Sequence, residues 1–378
     1  MNDLLAEFFN TRSRNIFLFA KGRVGLYVVL KALGLKEGDE VIMPGYTCMV
    51  VPSAAGFLRC TCRYADISPQ TYNINAAELD RHAGPATRAL IVQHTYGIPA
   101  DMDAAAGWSQ KHGIPLIEDC CHAFGSRYAG RLCGTFGCAS FFSGQWNKPF
   151  YTGLGGMLLV NDSSLLEGVR SLYEKATDVS PLENMRLNAQ IMAYKTIVTP
   201  RTNTAVTTLY RFLSKTGIAA GSSTNEELAG TMPAGYLKRM APCQIREGQK
   251  NLRDIRRAID ARKKNAARYS RLLADAGWPT LQEPAACESV ILRYPVRVAD
   301  KNHVLRQAAL KRLEIGSWFE VPLHPAGTDM AGLGYSAGMC PEAEKASREV
   351  INLPTHAKIT PDEANRIIGF LKQHALPA

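Results

Sequence analysis

The chain has 378 residues, 46% of them hydrophobic and 21% charged, with a formal net charge of +10. That length predicts two domains rather than one compact core, and the apolar content excludes a disordered chain. The positive charge fits a small anionic substrate such as a phosphate or diphosphate; no recognised nucleic-acid-binding motif accompanies it, so nucleic acid is not expected as a partner.

In chain order, MNDLLAEFFNTRSRN lacks the apolar stretch of a signal peptide, and no later apolar run is long enough to span a bilayer, so a cytoplasmic location is expected. GRVGLYVVLKALGL reads as a helix ending at Gly34, and GDEVIMP as a short buried strand. SAAGFLRC is helical, CRYADI a strand, and Ala76 to His82 a helix. RALIVQHTYG is a strand entering a loop, followed by the helix DMDAAAGWSQKHG with Asp101 near its N-terminus. IPLIEDCC, SFFS and GGMLLVND complete the strands of the first half. Such alternation predicts a mainly parallel sheet covered on both faces, with ligands at the carboxyl ends of its strands.

Ser163 to Gly235 differs in character, opening as the helix SSLLEGVRSLYEKA and becoming rich in Thr and Ser. Its stretch VTTLYRFLSKTG is amphipathic; packing against another domain or subunit is the expected fate of that face, and membrane-surface contact the lesser reading. The basic stretch from Lys250 to Lys264 has Leu252, Ile255, Ile259 and Ala266 at helical spacing and reads as a helix with a solvated charged face. SVILRYPVRV is a strand, HVLRQAALKRLEIG a helix stopped by Gly316, and a last helix starts at Thr360 as N-cap with Pro361 at its first position. Ten cysteines, with Cys60/Cys62 and Cys120/Cys121 off the C-x-x-C spacing, read as reduced thiols, and no metal is expected.

Three segments carry chemistry. Glu118 and Asp119 close an apolar strand; an acid there serves as metal ligand, base or partner of a protonated ring nitrogen, and equally as a turn cap. In FFSGQWNKPFYTGLGG, Lys148 lies among Trp146, Phe150 and Tyr151, where desolvation eases loss of its proton, as Schiff-base chemistry requires. A plain surface lysine explains it as well. Ser143 and the glycines at 153, 155 and 156 suit close approach to a phosphate, and Gly22 opens a helix whose N-terminus is a ready anion site.

The order of these pieces resembles the fold-type I enzymes that use pyridoxal 5′-phosphate (PLP), and more closely the DegT/DnrJ/EryC1/StrS family of sugar aminotransferases. GDEVIMPGYTC, CRYADISPQTYNIN, QHTYGIPADMD, GIPLIEDCCHAFGSRYAGRLCGTFG and FSGQWNKPFYTGLGG follow that family's motifs in order, as do VPLHP and INLPTHAKITPDE. The resemblance implies an α/β fold: a large domain over 1–240 with a mainly parallel seven-stranded sheet between helices and an insertion at about 175–230, then a smaller α+β domain over 241–378. It implies that Lys148 forms the Schiff base and shuttles the proton, and that Asp119 pairs with the pyridine nitrogen. His122 would bond the ring hydroxyl. Ser143, the amides of Gly22, Arg23 and Val24, and the Arg23 side chain would hold the phosphate. Tyr46 would replace the usual stacking aromatic, whose place is taken by Cys48, and His94 and His324 would lie near the substrate. The activity implied is transfer of an amino group from an amino acid, L-glutamate, through the PLP and PMP forms to a keto sugar, nucleotide-linked, by a homodimer with shared active sites. Leu154 and Leu237 also depart from the family pattern, Leu237 standing for the Asn that reaches the neighbouring subunit's phosphate, with Lys238 as an electrostatic substitute. These changes keep open a same-fold aminotransferase with a non-nucleotide keto substrate; intact Lys148 and Asp119 argue against a non-catalytic relative.

Overall fold

Seven strands form the central sheet: β1 Ile16–Phe19, β2 Glu40–Pro44, β3 Thr61–Ala65, β4 Thr87–Gln93, β5 Leu116–Asp119, β6 Ala139–Gln145 and β7 Leu154–Val160. The computed structural model describes residues 1–199, 202, 206, 209–210, 213–214, 219–221, 223–228 and 230–378. Most of the amphipathic stretch at 206–217 therefore lies outside the described residues.

The strand order is β1-β7-β6-β5-β4-β2-β3. Only β7 runs against its neighbours β1 and β6; the other contacts are parallel. The strands read as nearly continuous apolar runs because both faces are buried, and their period of two sorts the side chains. Phe17, Phe19, Ile91, Ile117 and Phe141 share a core with Val24 and Val28. On the opposite face Ile16, Leu18 and Phe142 meet Leu5 and Phe9, while Leu90, Val92 and Leu116 meet Met102 and Trp108.

Helix α1 (Asn2–Phe9) and helix α3 (Met102–His112) thus lie across the sheet from α2 (Gly22–Ala32). Asp101 caps α3 by accepting from the Ala104 amide at 3.0 Å. After the sheet come α4 (Pro181–Ile197), α5 (Pro242–Arg253) and α6 (Ile255–Asp275). The predicted basic helix is thus two helices, parted at Asp254. Strands β8 (Arg293–Arg297) and β9 (Val350–Pro354) pair antiparallel. Helices α6 and α7 (Lys301–Leu310) both pack on α8 (Pro361–His374). Thr360 caps α8 as expected, accepting from the Glu363 amide at 3.2 Å.

Candidate active site

Strand period decides which of the two adjacent acids faces a ligand. Asp119 follows Ile117 toward the α2 side, and Glu118 follows Leu116 to the other. Asp119 lines a cavity at the end of β5 and accepts from the Cys121 amide at 2.9 Å. Burial raises its pKa, and Cys121 and Lys148 oppose that rise. Lys148, in the connection between β6 and β7, lines the same cavity and is 5% exposed. Burial brings its pKa down to about 8, although Cys121 and Asp119 pull the other way. Its Nζ sits 4.8 Å from the centre of the Trp318 ring and makes no ion pair among the described residues.

The turn carrying Lys148 is fastened from two sides. Asn147 has a left-handed φ of 66°, a conformation Asn tolerates better than other side chains. Its Oδ1 accepts from the Tyr194 hydroxyl on α4, and the Trp146 and Tyr194 rings lie 4.8 Å apart. Its carbonyl accepts from Arg262 on α6. Arg262 belongs to the stretch read as a solvated face, yet it is 3% exposed. The signal was present: it falls on the stripe of Ile255, Ile259, Ala266 and Tyr269.

The N-terminus of α2 presses against the sheet because glycines leave room. A Cβ on Gly22 would come within 2.6 Å of the Phe142 carbonyl oxygen, and one on Gly156 within 2.1 Å of Gly22. Lys21 supplies no side-chain cap, and Gly22, Arg23 and Ser143 line the cavity. This is an anion cradle of amides at a helix N-terminus beside a hydroxyl. The Arg23 side chain, however, donates to Glu227 at 2.9 Å and to Ser223 at 3.1 Å, and Lys21 pairs with the same Glu227 at 3.4 Å. Burial brings Lys21 down to about 8, with Arg23 adding to the fall and Glu227 resisting it.

His122 also lines the cavity. Its Nδ1 accepts from the Tyr96 amide at 3.2 Å, which leaves the ring proton on Nε2. Burial, reinforced by Lys148 and Arg293, holds its pKa well below the usual value. The ring stacks on Trp318, centroids 5.1 Å apart. His324 arrives because Leu323–His324 pairs in parallel with Thr47–Cys48. Trp318, missed by the sequence reading, lines both this cavity and the next.

Four of the expected residues have other partners in the structure. His94 is fully buried on the Glu118 side and lines neither cavity: its Nδ1 accepts from the Ala100 amide at 3.0 Å and its Nε2 lies 3.1 Å from Glu118. Tyr46 does not stack over the cavity; it is fully buried, its hydroxyl 2.8 Å from that of Tyr96. The Val24 amide is engaged by the Lys21 carbonyl at 3.2 Å. The Lys238 ammonium is paired with Glu183 at 2.9 Å.

The inner cavity has a volume of about 80 Å³ and shares Gln145, Trp318 and His324 with an outer cavity of about 560 Å³. The residues present fit a pyridine carrying an aldehyde and a phosphate: a buried lysine, a buried acid on the α2 side, and a glycine cradle that a Cβ would fill.

A pleiotropic regulatory protein of Geobacillus stearothermophilus is 27% identical over 353 residues, 92% of this chain and 81% of that one. A GDP-perosamine synthase of Escherichia coli O157:H7 is 36% identical over 148 residues, covering 39% of this chain and 41% of that enzyme. Among solved structures, the aminotransferase TlmJ from Streptoalloteichus hindustanus superposes with a TM-score of 0.76 at 23% identity, over 98% of this chain and 88% of that one. The model of the DegT/DnrJ/EryC1/StrS aminotransferase family matches residues 4–372, and the chain belongs to that family.

Proposed function

We propose that the protein is a PLP-dependent aminotransferase that moves the amino group of L-glutamate to a nucleotide-linked keto sugar. One observation carries the reading: Lys148, Asp119, Ser143 and the α2 N-terminus, from separate parts of the chain, line one cavity. PLP, when bound, supplies an aldehyde that captures amines and a protonated ring that draws electrons from the substrate Cα. Lys148 Nζ is the attachment point and the base that moves the proton, a role suited to its lowered pKa. The Asp119 carboxylate holds the proton of the ring nitrogen in a site where burial strengthens that pairing. The His122 Nε2–H is available to the ring hydroxyl. Ser143 and the amides of Gly22 and Arg23 receive the phosphate.

The likeness to a GDP-perosamine synthase supports a nucleotide-linked acceptor. We place the division between the larger and smaller domains near residue 240. The protein acts as a homodimer in the cytoplasm; the exposed apolar residues Leu182, Met185 and Met192 on α4 support a partner subunit there. No helix among the described residues is long and apolar enough to cross a membrane.

The test is the absorbance of the purified protein. A band at the edge of the visible, present in wild type and absent in Lys148→Ala, is expected, with bleaching by L-glutamate and recovery on adding the keto sugar. Wild-type protein without bound cofactor would overturn the reading.

A further inference from the structure

Arg293 opens β8 and lines the outer cavity. Its guanidinium lies 5.1 Å from the centre of the Trp318 ring, the ring that Lys148 Nζ approaches at 4.8 Å. Gly316 leaves room beside it: a Cβ there would come within 2.8 Å of Arg293 Nη1. The side chain is half-buried and makes no hydrogen bond or ion pair among the described residues. Two acids line the same cavity, but both have other partners. Glu314 places its two oxygens 3.1 Å from His356 Nε2 and makes no ion pair with Arg293, which acts on it only through space. Glu320 accepts from Ser317 Oγ at 2.9 Å and from the Ala326 amide at 3.2 Å.

Arg293 acts on Glu314 through space, helping to keep that carboxylate ionised, but no acid among the described residues is in direct contact with its guanidinium fork. A fork half-drawn from water with its donors unused beside a substrate-sized cavity suits an anionic ligand. The planar fork of a guanidinium matches the two oxygens of a carboxylate, and the Trp318 face fixes its plane. We propose that Arg293 binds a carboxylate of the substrate in the outer cavity, orienting an acid-bearing molecule with its reacting carbon toward Lys148. The inference rests on the aminotransferase reading only for what Lys148 does next. The carboxylate has two possible sources with the same chemistry: the α-carboxylate of the amino donor, or an acid group on the keto acceptor.

The experiment compares wild type with Arg293→Gln and Arg293→Lys, each first shown by thermal melting to be folded. Calorimetric titration with glutarate, a dicarboxylate that cannot react, reads binding without turnover. Arg293→Gln is expected to weaken it about tenfold or more, with partial recovery in Arg293→Lys. In the holoenzyme, bleaching of the visible band is then followed with L-glutamate and with benzylamine, an amine lacking a carboxylate. A tenfold rise in the half-saturating concentration of glutamate alone assigns the carboxylate to the donor. An unchanged glutamate response with a tenfold loss toward a keto-uronate sugar assigns it to the acceptor. Wild-type behaviour of Arg293→Gln in all three measurements overturns the proposal. Absence of the band in wild type would instead count against the cofactor reading, and the glutarate titration would still judge Arg293.

Discussion

Arg262 donates from Nη2 to the carbonyl of Asn147, the residue before Lys148, at 2.5 Å. Its Nη1 donates to the Leu292 carbonyl and to Thr355 Oγ1, both at 2.9 Å. One buried guanidinium therefore ties the lysine turn to the ends of β8 and β9. Replacing it with Met removes a donor from three acceptors, of which the Leu292 carbonyl keeps the Thr355 hydroxyl at 2.8 Å, at a cost of about 2–4 kcal/mol. Urea unfolding should show that loss in Arg262→Met. Arg262→Lys keeps the charge without the fork and should recover only part of it. A positioning role further requires that the pH midpoint of the visible band shift in Arg262→Lys; a stability loss with an unmoved midpoint would leave Arg262 a structural residue alone.

The left-handed Asn147 gives a second test. Asn147→Gly keeps the backbone freedom and loses only the bond from Tyr194, a loss of about 1 kcal/mol. Asn147→Val loses the same bond and adds strain of about 1–3 kcal/mol, because a β-branched side chain resists positive φ. Melting temperatures should fall in the order wild type, Gly, Val. Tyr194→Phe should resemble Asn147→Gly, and a double variant of the two should add little, since both remove one bond.

Burial lowers the Lys148 pKa from the ordinary lysine range to about 8. Only the neutral amine captures an aldehyde, so the rate at which cofactor-free protein takes up PLP should rise roughly tenfold per pH unit below 8 and level off above it. The same shift has a stability consequence of definite sign. Between about pH 8 and the ordinary lysine value the unfolded chain holds a proton that the folded chain has released, so this lysine's contribution makes the protein more stable as pH rises. Lys148→Met should abolish that slope. Stopped-flow uptake and urea titrations across this window check the two limbs.

Glu227 occupies Lys21 and Arg23 at the mouth of the anion cradle and is itself 2% exposed. Glu227→Gln removes a negative charge from beside the incoming phosphate. PLP should bind roughly threefold to tenfold more tightly to the variant, and pyridoxal, which lacks the phosphate, should bind unchanged. Equal gains for both ligands would show that the carboxylate acts on something other than the phosphate.

The parts of this fold legible in the sequence are those fixed by local pattern. Buried parallel strands show as apolar runs, and Asp119, Ser143 and Lys148 stand at or just beyond strand ends, where the sheet delivers them to one place. Strands β1 and β9 were not anticipated, since runs as short as IFLF and VINLP carry too little periodicity to separate strand from buried helix. Arg262 and Arg293 were hidden for another reason. What places their guanidinium groups is distant in sequence: Thr355 and the Asn147 carbonyl for one, Gly316 and Trp318 for the other. His94 stands apart from the cavity for a geometric reason. It follows β4 at the point where Gln93 pairs with Asp119, and its ring reaches Glu118 on the other face.

That pairing of faces yields the sharpest contrast between neighbouring residues. Glu118 Oε1 accepts from the Phe136 and Gly137 amides at 2.6 and 2.8 Å, and Oε2 from the Gly134 amide at 2.6 Å, with His94 at 3.1 Å. Three of these bonds serve the loop from 134 to 137, the fourth holds His94, and none reaches the cavity. Glu118→Ala strands three amide donors, two of them buried, and should cost about 3–5 kcal/mol, seen as a large drop in urea midpoint. Asp119 accepts from the Cys121 amide, with the Cys121 thiol beside it, and lines the cavity. Asp119→Asn should melt within a few degrees of wild type and still take up PLP on Lys148, because the amide keeps a similar shape. Its carbonyl oxygen cannot hold a proton on the ring nitrogen as a carboxylate does, so bleaching by L-glutamate should slow by two or more orders of magnitude. The two variants separate one acid that builds the site from one that works in it. Equal slowing in a folded Glu118→Gln would contradict the division.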